Sequence, residues 1–539
     1  MKRLFLLATT ALCLFSSIAR GQNFDDRPLL QVGDDIAIAN TTYGKIQGFI
    51  FKDVYTFLGI PYGASTAGEN RFMPPQEPES WDGIRPALFW GNYAPQRTGA
   101  RYRNNFGTFF DHWNYYDVSE DCLSLNVWTP SLDGKKRPVL VWIHGGSYTS
   151  GNSIEQDGYD GNNISREGDI VYVSVNHRLG PIGFSDLSAF GEKYAKSGNV
   201  GVLDLIAALK WVHNNIEFFG GDPGNVTIMG QSGGGAKVCT ILGMIPSKGL
   251  VHKAVALSGN TNRAMPQEYS REIGQYIVKE AGLTAAEVDK LQEMPWEEYI
   301  EIANRALKKY TEDFPERTKS IFRFGFGPVE DGVVIPKGDY FPVNGVSADI
   351  PVIFSSAMAE ASISRTNAEL ENMDKEGAIK YATQKYGDKA RAIIDACEEA
   401  FPDMKPVEWA NLVANSYRPA LIVSASAKYK QGAPIYNCWF GYESSLMNGR
   451  MRAFHCSDIC YWLRNTDVMY THTGGGPGPR AISDKMSKSL LHFMRTGDPN
   501  CGELPDWPKW DPTTRKVMVL KKDCYVLENP DAKIIELIK

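Results

Sequence analysis

A serine between glycines is the first candidate for chemistry in this sequence. Ser232 lies in Gly230-Gln231-Ser232-Gly233-Gly234, directly after the β-branched residues 226–229 and before a segment rich in glycine and alanine. A serine at a sharp strand-to-helix turn exposes its hydroxyl as a nucleophile, and such a turn has no space for side chains two residues away on either side. The pattern therefore predicts a nucleophilic serine.

The same glycines fit the first half of a phosphate-binding loop. Gly230 and Gly235 have the separation of its two glycines. Ala236 stands where that motif requires a lysine, and Lys237 is followed by Val238 rather than by serine or threonine. The sequence therefore argues against a phosphate-binding loop.

A serine nucleophile needs a base, and histidine is the usual one. With a nucleophile at such a turn the chain order is serine, acid, histidine, which leaves His455, His472 and His492 of the eight histidines. His472 adjoins residues 473–479, which are predicted to form a glycine- and proline-rich loop. His492 falls on an amphipathic helix predicted over 483–495. His455 follows a strand-like run by a short loop and is the best candidate.

Three carboxylates compete for the role of the acid. Glu360 follows the predicted strand 351–354, at the carboxyl edge where the active-site loops of open α/β sheets gather. Glu330 and Asp331 lie in a predicted turn. Composition alone does not separate these choices.

An oxyanion hole needs backbone N–H groups that converge without a bulky side chain. His144, Gly145, Gly146 and Ser147 follow the predicted strand 139–143 and provide such a loop, and the residue after the nucleophile, Gly233, adds a further N–H.

A metal site is the alternative interpretation of this histidine. His455-Cys456 and Cys460 could supply its first ligands, but no second cysteine pair or histidine cluster supplies the rest. We predict no metal and no organic cofactor.

The elements that must position these residues follow from the hydrophobic pattern. Apolar positions within 202–218 recur at helical spacing. Alternation of strands and helices predicts a central, mostly parallel sheet with helices on both faces. Residues 24–120 are rich in turns and aromatics and predict an antiparallel flank. The predicted parallel strands are 139–143, 170–175, 226–229, 254–257 and 351–354.

Length and composition indicate an ordinary globular chain. Its 539 residues are 43% hydrophobic and 22% charged, and a net charge of -6 argues against nucleic acid as a partner. Residues 1–21 have the charged start, apolar run and small-residue cleavage site of a signal peptide, and the run is too short to span a membrane. We predict a secreted or periplasmic single domain over 22–539, without a membrane span and with helical insertions at about 262–345 and 366–430. The sequence does not predict its oligomeric state.

Several motifs resemble the type-B carboxylesterase family, which includes cholinesterases and bacterial para-nitrobenzyl esterases. Residues 120–130, EDCLSLNVWTP, are similar to its second signature, and residues 219–232, FGGDPGNVTIMGQS, to its nucleophile signature. Further matches are FLGIPYG at 57–63, NHRLG at 176–180 and TGDPN at 496–500. The resemblance covers essentially the whole mature chain and implies an α/β-hydrolase fold.

The resemblance also implies roles for single residues. It implies a triad with Ser232 as nucleophile, Glu360 as acid and His455 as base. The implied N–H donors of the oxyanion hole are Gly146, Ser147 and Gly233.

The resemblance implies roles for four further residues. Ser258 and Asp458 match a hydrogen-bonded layer behind the triad. Arg71 and Glu120 match a structural ion pair.

Three positions depart from the family pattern. Ser147 replaces the third glycine of the oxyanion loop and is expected to restrict acyl size. Gln231 replaces a glutamate of cholinesterases, so a charge that would favour cationic substrates is absent. Cys122 matches a bridged cysteine, yet the partner expected near residues 93–96 is missing, and we expect a buried free thiol.

Aromatic residues cluster just before Glu120, in a region that lines the gorge of related enzymes. The cluster fits either a substrate site or a packed flank. We predict that Gln231, Phe109, Phe110 and Trp113 bind substrate. The whole cluster comprises Phe106, Phe109, Phe110, Trp113, Tyr115 and Tyr116.

These observations together predict a serine hydrolase that cleaves small carboxylic esters through an acyl-enzyme. The same triad could act on amides or thioesters, because the geometry of acyl transfer does not select the leaving group. A non-catalytic adhesion module of the same fold is the third hypothesis, and retention of all three triad residues argues against it.

Overall fold

A computed structural model describes residues 28–97, 109–110, 113–319 and 324–539. The predicted signal peptide and Phe106 lie outside these residues. The strands are β1 Leu30–Gln31, β2 Ile38–Thr41, β3 Gly44–Gln47, β4 Phe49–Phe51, β5 Val54–Pro61, β6 Ile84–Pro86, β7 Ser124–Thr129, β8 Arg137–Ile143, β9 Val171–Val175, β10 Gly221–Gln231, β11 Lys253–Leu257, β12 Met265–Pro266, β13 Val329–Glu330, β14 Val352–Ala357, β15 Ile435–Phe440, β16 Val517–Leu520 and β17 Tyr525–Leu527.

A twelve-stranded sheet organises the fold. Its order is β1-β4-β5-β7-β9-β8-β10-β11-β14-β15-β16-β17. The pairs from β9 to β16 are parallel, whereas β1, β4, β5 and β7 pair antiparallel at one edge and β17 at the other. This is the arrangement of an α/β-hydrolase, and it confirms the predicted parallel centre and the antiparallel flank.

Helices cover both faces of the sheet. Strands β8, β9, β14 and β15 are almost wholly buried, as expected for parallel strands with two covered faces. The α-helices are Asn162–Gly168, Gly180–Phe184, Val200–Asn215, Gly233–Gly243, Gln267–Glu280, Lys290–Glu293, Trp296–Asp313, Pro315–Lys319, Lys375–Tyr386, Ala390–Ala400, Pro406–Ala414, Tyr417–Tyr429, Ile459–Trp462, Tyr470–Thr473, Pro477–Thr496 and Ala532–Ile538.

Several element boundaries differ from the prediction: β8 begins earlier, at Arg137, and β14 extends further, to Ala357. β10 begins at Gly221 rather than at residue 226, and a register shift separates Gly221 from Val226 in its pairing with β8. The helix predicted over 202–218 ends at Asn215 and continues as a 3-10 turn. The predicted loop 473–479 is wrong in its second half, since Pro477–Thr496 is helical and proline is well accommodated in a first helical turn.

The predicted ion pair between Arg71 and Glu120 is confirmed. Both side chains are buried, and Arg71 Nε donates to Glu120 Oε1 at 2.6 Å. Arg71 Nη1 also donates to the carbonyls of Leu291 and Met294 at 2.8 and 2.7 Å. The pair therefore joins the amino-terminal flank to the helical segment after β11.

The described residues contain eight cysteines, and all of them are free. Cys122 is fully buried, as expected. In the part that the structure describes, no helix has the length and apolar character that crossing a bilayer requires.

Candidate active site

Ser232 lies at the turn between β10 and the helix Gly233–Gly243. Its backbone has φ 59° and ψ −121°, a conformation that is strained for any residue other than glycine. Two backbone bonds hold the turn: Ser232 N donates to Leu257 O at 2.8 Å, and Ala236 N donates to Ser232 O at 3.0 Å. The side chain is partly exposed, so its hydroxyl is accessible to a ligand.

The two outer glycines of this turn have no space for a side chain. A Cβ atom at Gly230 would lie 2.5 Å from the carbonyl carbon of Gly234. One at Gly234 would lie 2.0 Å from Ile143 O. Both distances are far below van der Waals contact, which explains physically why the motif requires glycine here.

His455 and Glu360 form the hydrogen-bonded pair that the sequence predicts. Glu360 Oε2 lies 2.5 Å from His455 Nδ1, and Glu360 Oε1 accepts from Ala357 N at 2.8 Å. The histidine side chain is 26% exposed and that of the glutamate 2%. The backbone N–H of Ala357 therefore fixes the Glu360 carboxylate, and the ring of His455 remains accessible. This is the arrangement of an acid that orients a base.

The surroundings of His455 favour its charged form. Burial lowers the pKa of the ring, but the neighbouring Cys456 and the carboxylate of Glu360 more than offset this effect. The pKa of His455 consequently lies well above its ordinary value of 6.5.

Two neighbours of His455 were missed at the sequence level. Tyr417 stacks on the ring, with centroids 4.8 Å apart. The thiol of Cys456 lies 3.1 Å from Gln231 Oε1. Tyr417 lies in a separate region of the chain from His455, and no local pattern marks it. The only signal for Cys456 was its position next to a candidate base.

Gln231 lies against the base rather than in an open binding surface. It is buried, and its Nε2 lies 3.4 Å from His455 Nδ1. Because Gln231 directly precedes Ser232, this contact brings the imidazole next to the turn. Ser232 Oγ and the ring of His455 are both described and are not hydrogen-bonded to each other; catalytic hydrogen bonds are often long before substrate binds.

The oxyanion loop packs directly on the turn. Gly146 and Ser147 both have positive φ, 78° and 56°, which turns the loop sharply after β8. A Cβ atom at Gly233 would lie 2.4 Å from Ser147 N, and one at Gly145 would lie 3.5 Å from Ser232 Cβ. The backbone nitrogens of Ser147 and Gly233 therefore lie close together beside the nucleophile, and the Ser147 side chain is exposed.

The two residues expected behind the triad, Ser258 and Asp458, are both buried. Ser258 Oγ makes no hydrogen bond to the described residues, whereas the Asp458 carboxylate interacts with its own backbone N–H and with the Trp462 side chain, and both contacts lower its pKa. Burial and then repulsion from Glu360 raise the pKa of Asp458 to about 7, although His455 opposes the shift. Their burial is as expected, and the hydrogen-bonded layer behind the triad stays a prediction.

The rival acids and bases are engaged elsewhere. Asp331 Oδ1 accepts from the backbone N–H groups of residues 333–335, and Glu330 accepts from Gly338 N at 2.9 Å. His472 is buried with its ring 5.0 Å from that of Phe454. His492 Nδ1 lies 2.7 Å from Asp498 O.

The aromatic cluster divides into separate groups. Phe110 is buried against Met451 and Phe454, just before the candidate base, whereas Phe109 is 58% exposed and Trp113 is partly exposed. Among the described members of the cluster, Phe110 thus packs against the segment that directly precedes the candidate base.

Other members of the aromatic cluster line a separate cavity. Tyr115 and Tyr116 border a space of about 560 Å³ together with Trp90 and Tyr159. Ser232 and His455 are not among its described lining residues.

No cluster suited to a metal was found in the described residues. No three histidine, cysteine, aspartate or glutamate side chains there are grouped as ligands. Cys456 contacts Gln231, and Cys460 Sγ lies 3.6 Å from Ser457 O.

Known proteins match the chain over nearly its whole length. A model of the carboxylesterase family matches residues 35–534. The chain is 29% identical over 502 residues to the para-nitrobenzyl esterase of Bacillus subtilis (strain 168), covering 92% of this chain and 97% of that one. It is 29% identical over 496 residues to the phenmedipham hydrolase of Pseudarthrobacter oxydans, covering 90% and 94%. A solved esterase from Clostridium hathewayi, described as able to hydrolyse aliphatic aromatic polyesters, superposes with a TM-score of 0.81 at 33% identity, covering 94% and 98%.

Proposed function

The chain belongs to the carboxylesterase family and is a carboxylic-ester hydrolase, and from this premise we propose that it works through an acyl-enzyme formed on Ser232. His455 acts as the base, Glu360 orients the ring, and backbone N–H groups stabilise the oxyanion. The observation that carries the proposal is the pair Glu360–His455, which contacts the residue directly before a strained and accessible serine.

Acylation begins when neutral His455 takes the proton of Ser232 through Nε2. Oγ then attacks the ester carbonyl carbon, and the C=O π electrons move onto the oxygen. The buried carboxylate of Glu360 keeps Nδ1 protonated, which leaves Nε2 free to accept, and stabilises the imidazolium that forms. Collapse of the intermediate breaks the ester C–O bond, and the alcohol leaves with the proton from His455.

The oxyanion is stabilised by donors that are fixed before the reaction. We assign these donors to the N–H groups of Gly146, Ser147 and Gly233. The close approach of Ser147 N and the Gly233 backbone supports convergence of two of them. Donors already oriented need no rearrangement as the charge develops, which is the main source of their effect.

Water completes the cycle. His455, neutral again, removes a proton from a water molecule that attacks the acyl carbonyl of Ser232. The second tetrahedral intermediate releases the carboxylic acid, and the proton returns to Ser232 Oγ through His455.

The test is hydrolysis of para-nitrophenyl acetate by the wild type and by Ser232→Ala, with Ser426→Ala as a matched control on a helix surface. We expect Ser232→Ala to lose activity by about 10⁶-fold and Ser426→Ala to keep it. Labelling with a fluorophosphonate should add one adduct, located on Ser232 by peptide mass. Substantial hydrolysis by Ser232→Ala, or an adduct elsewhere, would overturn the proposal.

We propose small esters with an aromatic group as the substrate class. Phe110 packs beside residues 451–454 and Tyr417 covers the ring of His455, which gives the site an apolar border. The names of the relatives point the same way, since para-nitrobenzyl esters and aliphatic aromatic polyesters both contain such groups. A panel of benzoate, benzyl and aliphatic esters, with matched anilides, tests the class. Aliphatic esters turned over as fast as the aromatic ones would contradict the aromatic preference, and equal turnover of anilides would contradict the preference for esters.

Export is part of the proposal. It rests on the signal-like pattern of residues 1–21. Expression of the whole chain in a Gram-negative host should give periplasmic protein whose mass corresponds to loss of those residues. Full-length protein confined to the cytoplasm would contradict export.

A further inference from the structure

A buried lysine lies directly beneath the oxyanion loop. Lys237 is the fifth residue of the helix that follows Ser232, and its side chain is fully buried. Its Nζ donates to His144 O at 3.0 Å and to Gly145 O at 3.3 Å. A buried ammonium is costly unless strong acceptors surround it, so these contacts call for a physical explanation.

The bonded carbonyls belong to the peptide units of the oxyanion loop itself. The carbonyl of Gly145 and the N–H of Gly146 are the two ends of one planar peptide group. Gly146 N–H is a proposed oxyanion donor, so the ammonium binds the opposite end of the dipole that faces the reacting oxygen. A cation on the carbonyl draws electron density from the N–H and fixes the plane of the peptide.

The ammonium of Lys237 also lies near aromatic side chains in and beside the oxyanion loop. The ring of Tyr148, the residue after Ser147, lies 5.9 Å from Nζ, and Tyr148 OH bonds to Thr240 one turn along the helix. His177 stacks on His144 at 4.9 Å. Burial, followed by the charge of Lys237, holds the pKa of His177 well below 6.5, so the stacked ring remains neutral.

We propose that Lys237 is a positioning residue that orients and polarises the oxyanion hole, and that it does so by donating two charged hydrogen bonds to the carbonyls of His144 and Gly145. The inference rests on the oxyanion hole proposed above. Its effect is confined to states that carry a negative charge on the substrate oxygen. Lys237 should therefore accelerate turnover without improving the binding of the neutral ester.

The first variant is Lys237→Met, which keeps the length of the side chain and removes its charge and its donors. Loss of a direct oxyanion donor costs about 10²- to 10³-fold in kcat, and an indirect effect should be smaller. We expect kcat to fall by about 10- to 100-fold with KM changed by less than about threefold. A trifluoromethyl ketone, which forms an anionic adduct with serine, should lose affinity in proportion to kcat, whereas the matched secondary alcohol should bind unchanged.

Lys428→Met is the matched control. Lys428 is also fully buried and donates to Ser347 O and Gln431 Oε1, outside the proposed site. Lys428→Met should lower the free energy of unfolding, but it should not lower kcat while leaving KM nearly unchanged. Lys237→Gln keeps a neutral donor and covers the case in which Lys237→Met does not fold.

The outcomes separate this inference from the proposed function. Retained activity of Ser232→Ala would overturn both. If Ser232→Ala is inactive while a folded Lys237→Met keeps its kcat and its ketone affinity, only the role of Lys237 is overturned. A fall in kcat with unchanged ketone affinity, or failure of both Lys237 variants to fold, would make the lysine a purely structural group.

Discussion

A substitution of Gln231 is the most direct way to change the charge around His455. Its amide contacts both His455 and Cys456 and carries no charge. A carboxylate at this position would stand beside the imidazole and favour its protonated form. The identity of residue 231 should therefore set the pH at which the base becomes active.

We predict that Gln231→Glu moves the rising limb of the kcat/KM profile to higher pH. The base must be neutral to accept a proton, so raising its pKa removes activity on the acid side. The shift should be about one pH unit, at the low end for an opposite charge within contact range. The profile is measured with para-nitrophenyl acetate beside Gln76→Glu, whose amide donates to Pro74 O. An unmoved limb, or the same shift in the control, would contradict this.

Ser147 should control acyl size. Its side chain is exposed at the oxyanion loop and its φ of 56° suits glycine. Ser147→Gly should raise the rate of octanoate relative to acetate by about tenfold, the low end for one methylene in a pocket, with the acetate rate nearly unchanged. Equal relative rates in the wild type and the variant would show that the serine does not limit acyl length.

Residue types and their order along the chain indicate candidates for the chemistry, whereas they do not predict the packing around them. Ser232, Glu360 and His455 could be selected because nucleophile, acid and base must follow one another in a set order along such a chain. The stacking of Tyr417 on His455 could not be predicted, since it depends on segments that approach each other only after folding. Phe109, Phe110 and Trp113 are neighbours in sequence, yet they differ in burial.

At the scale of elements, the junction between β10 and the next helix is the tightest part of the site. Gly234 packs against the last residue of β8, so the turn and the oxyanion loop share one contact. Displacing either must displace the other.

Gly234→Ala should therefore damage both structure and activity. Its Cβ would lie 2.0 Å from Ile143 O, and overpacking of this kind costs about 1–3 kcal/mol of folding free energy. The control, Gly224→Ala, is exposed and places its Cβ 3.2 Å from a side-chain oxygen of Asp222. Urea denaturation and ester turnover test the pair. Equal stability and activity of both variants would disprove the steric argument.

The hydrophobic pattern predicted where the central strands lie but not where each of them begins and ends. Residues 221–225 contain glycine, proline and asparagine, which do not favour strands, and they join β10 because β8 lies beside them. Residues 477–479 were misassigned because prolines usually interrupt helices, whereas here they occupy the first turn. Tertiary context decided the first case, and the local position of the prolines in the helix decided the second.

At the scale of the molecule, the ion pair Arg71–Glu120 links parts that are far apart in sequence. Arg71→Met should lower the free energy of unfolding by about 3–5 kcal/mol, because Glu120 would remain buried without its cation. Adding Glu120→Gln should recover part of the loss. Urea denaturation of the single and double variants measures this. A double variant no more stable than the single one would show that packing, not charge, is responsible.

The three proposed catalytic residues follow three different strands, β10, β14 and β15, of one sheet. A nascent chain can already contain the serine and its turn while the ribosome has yet to add the more than 200 residues that end at the imidazole. Under the proposed mechanism, a chain released before residue 455 should contain the serine but hydrolyse no ester, because the base is still missing.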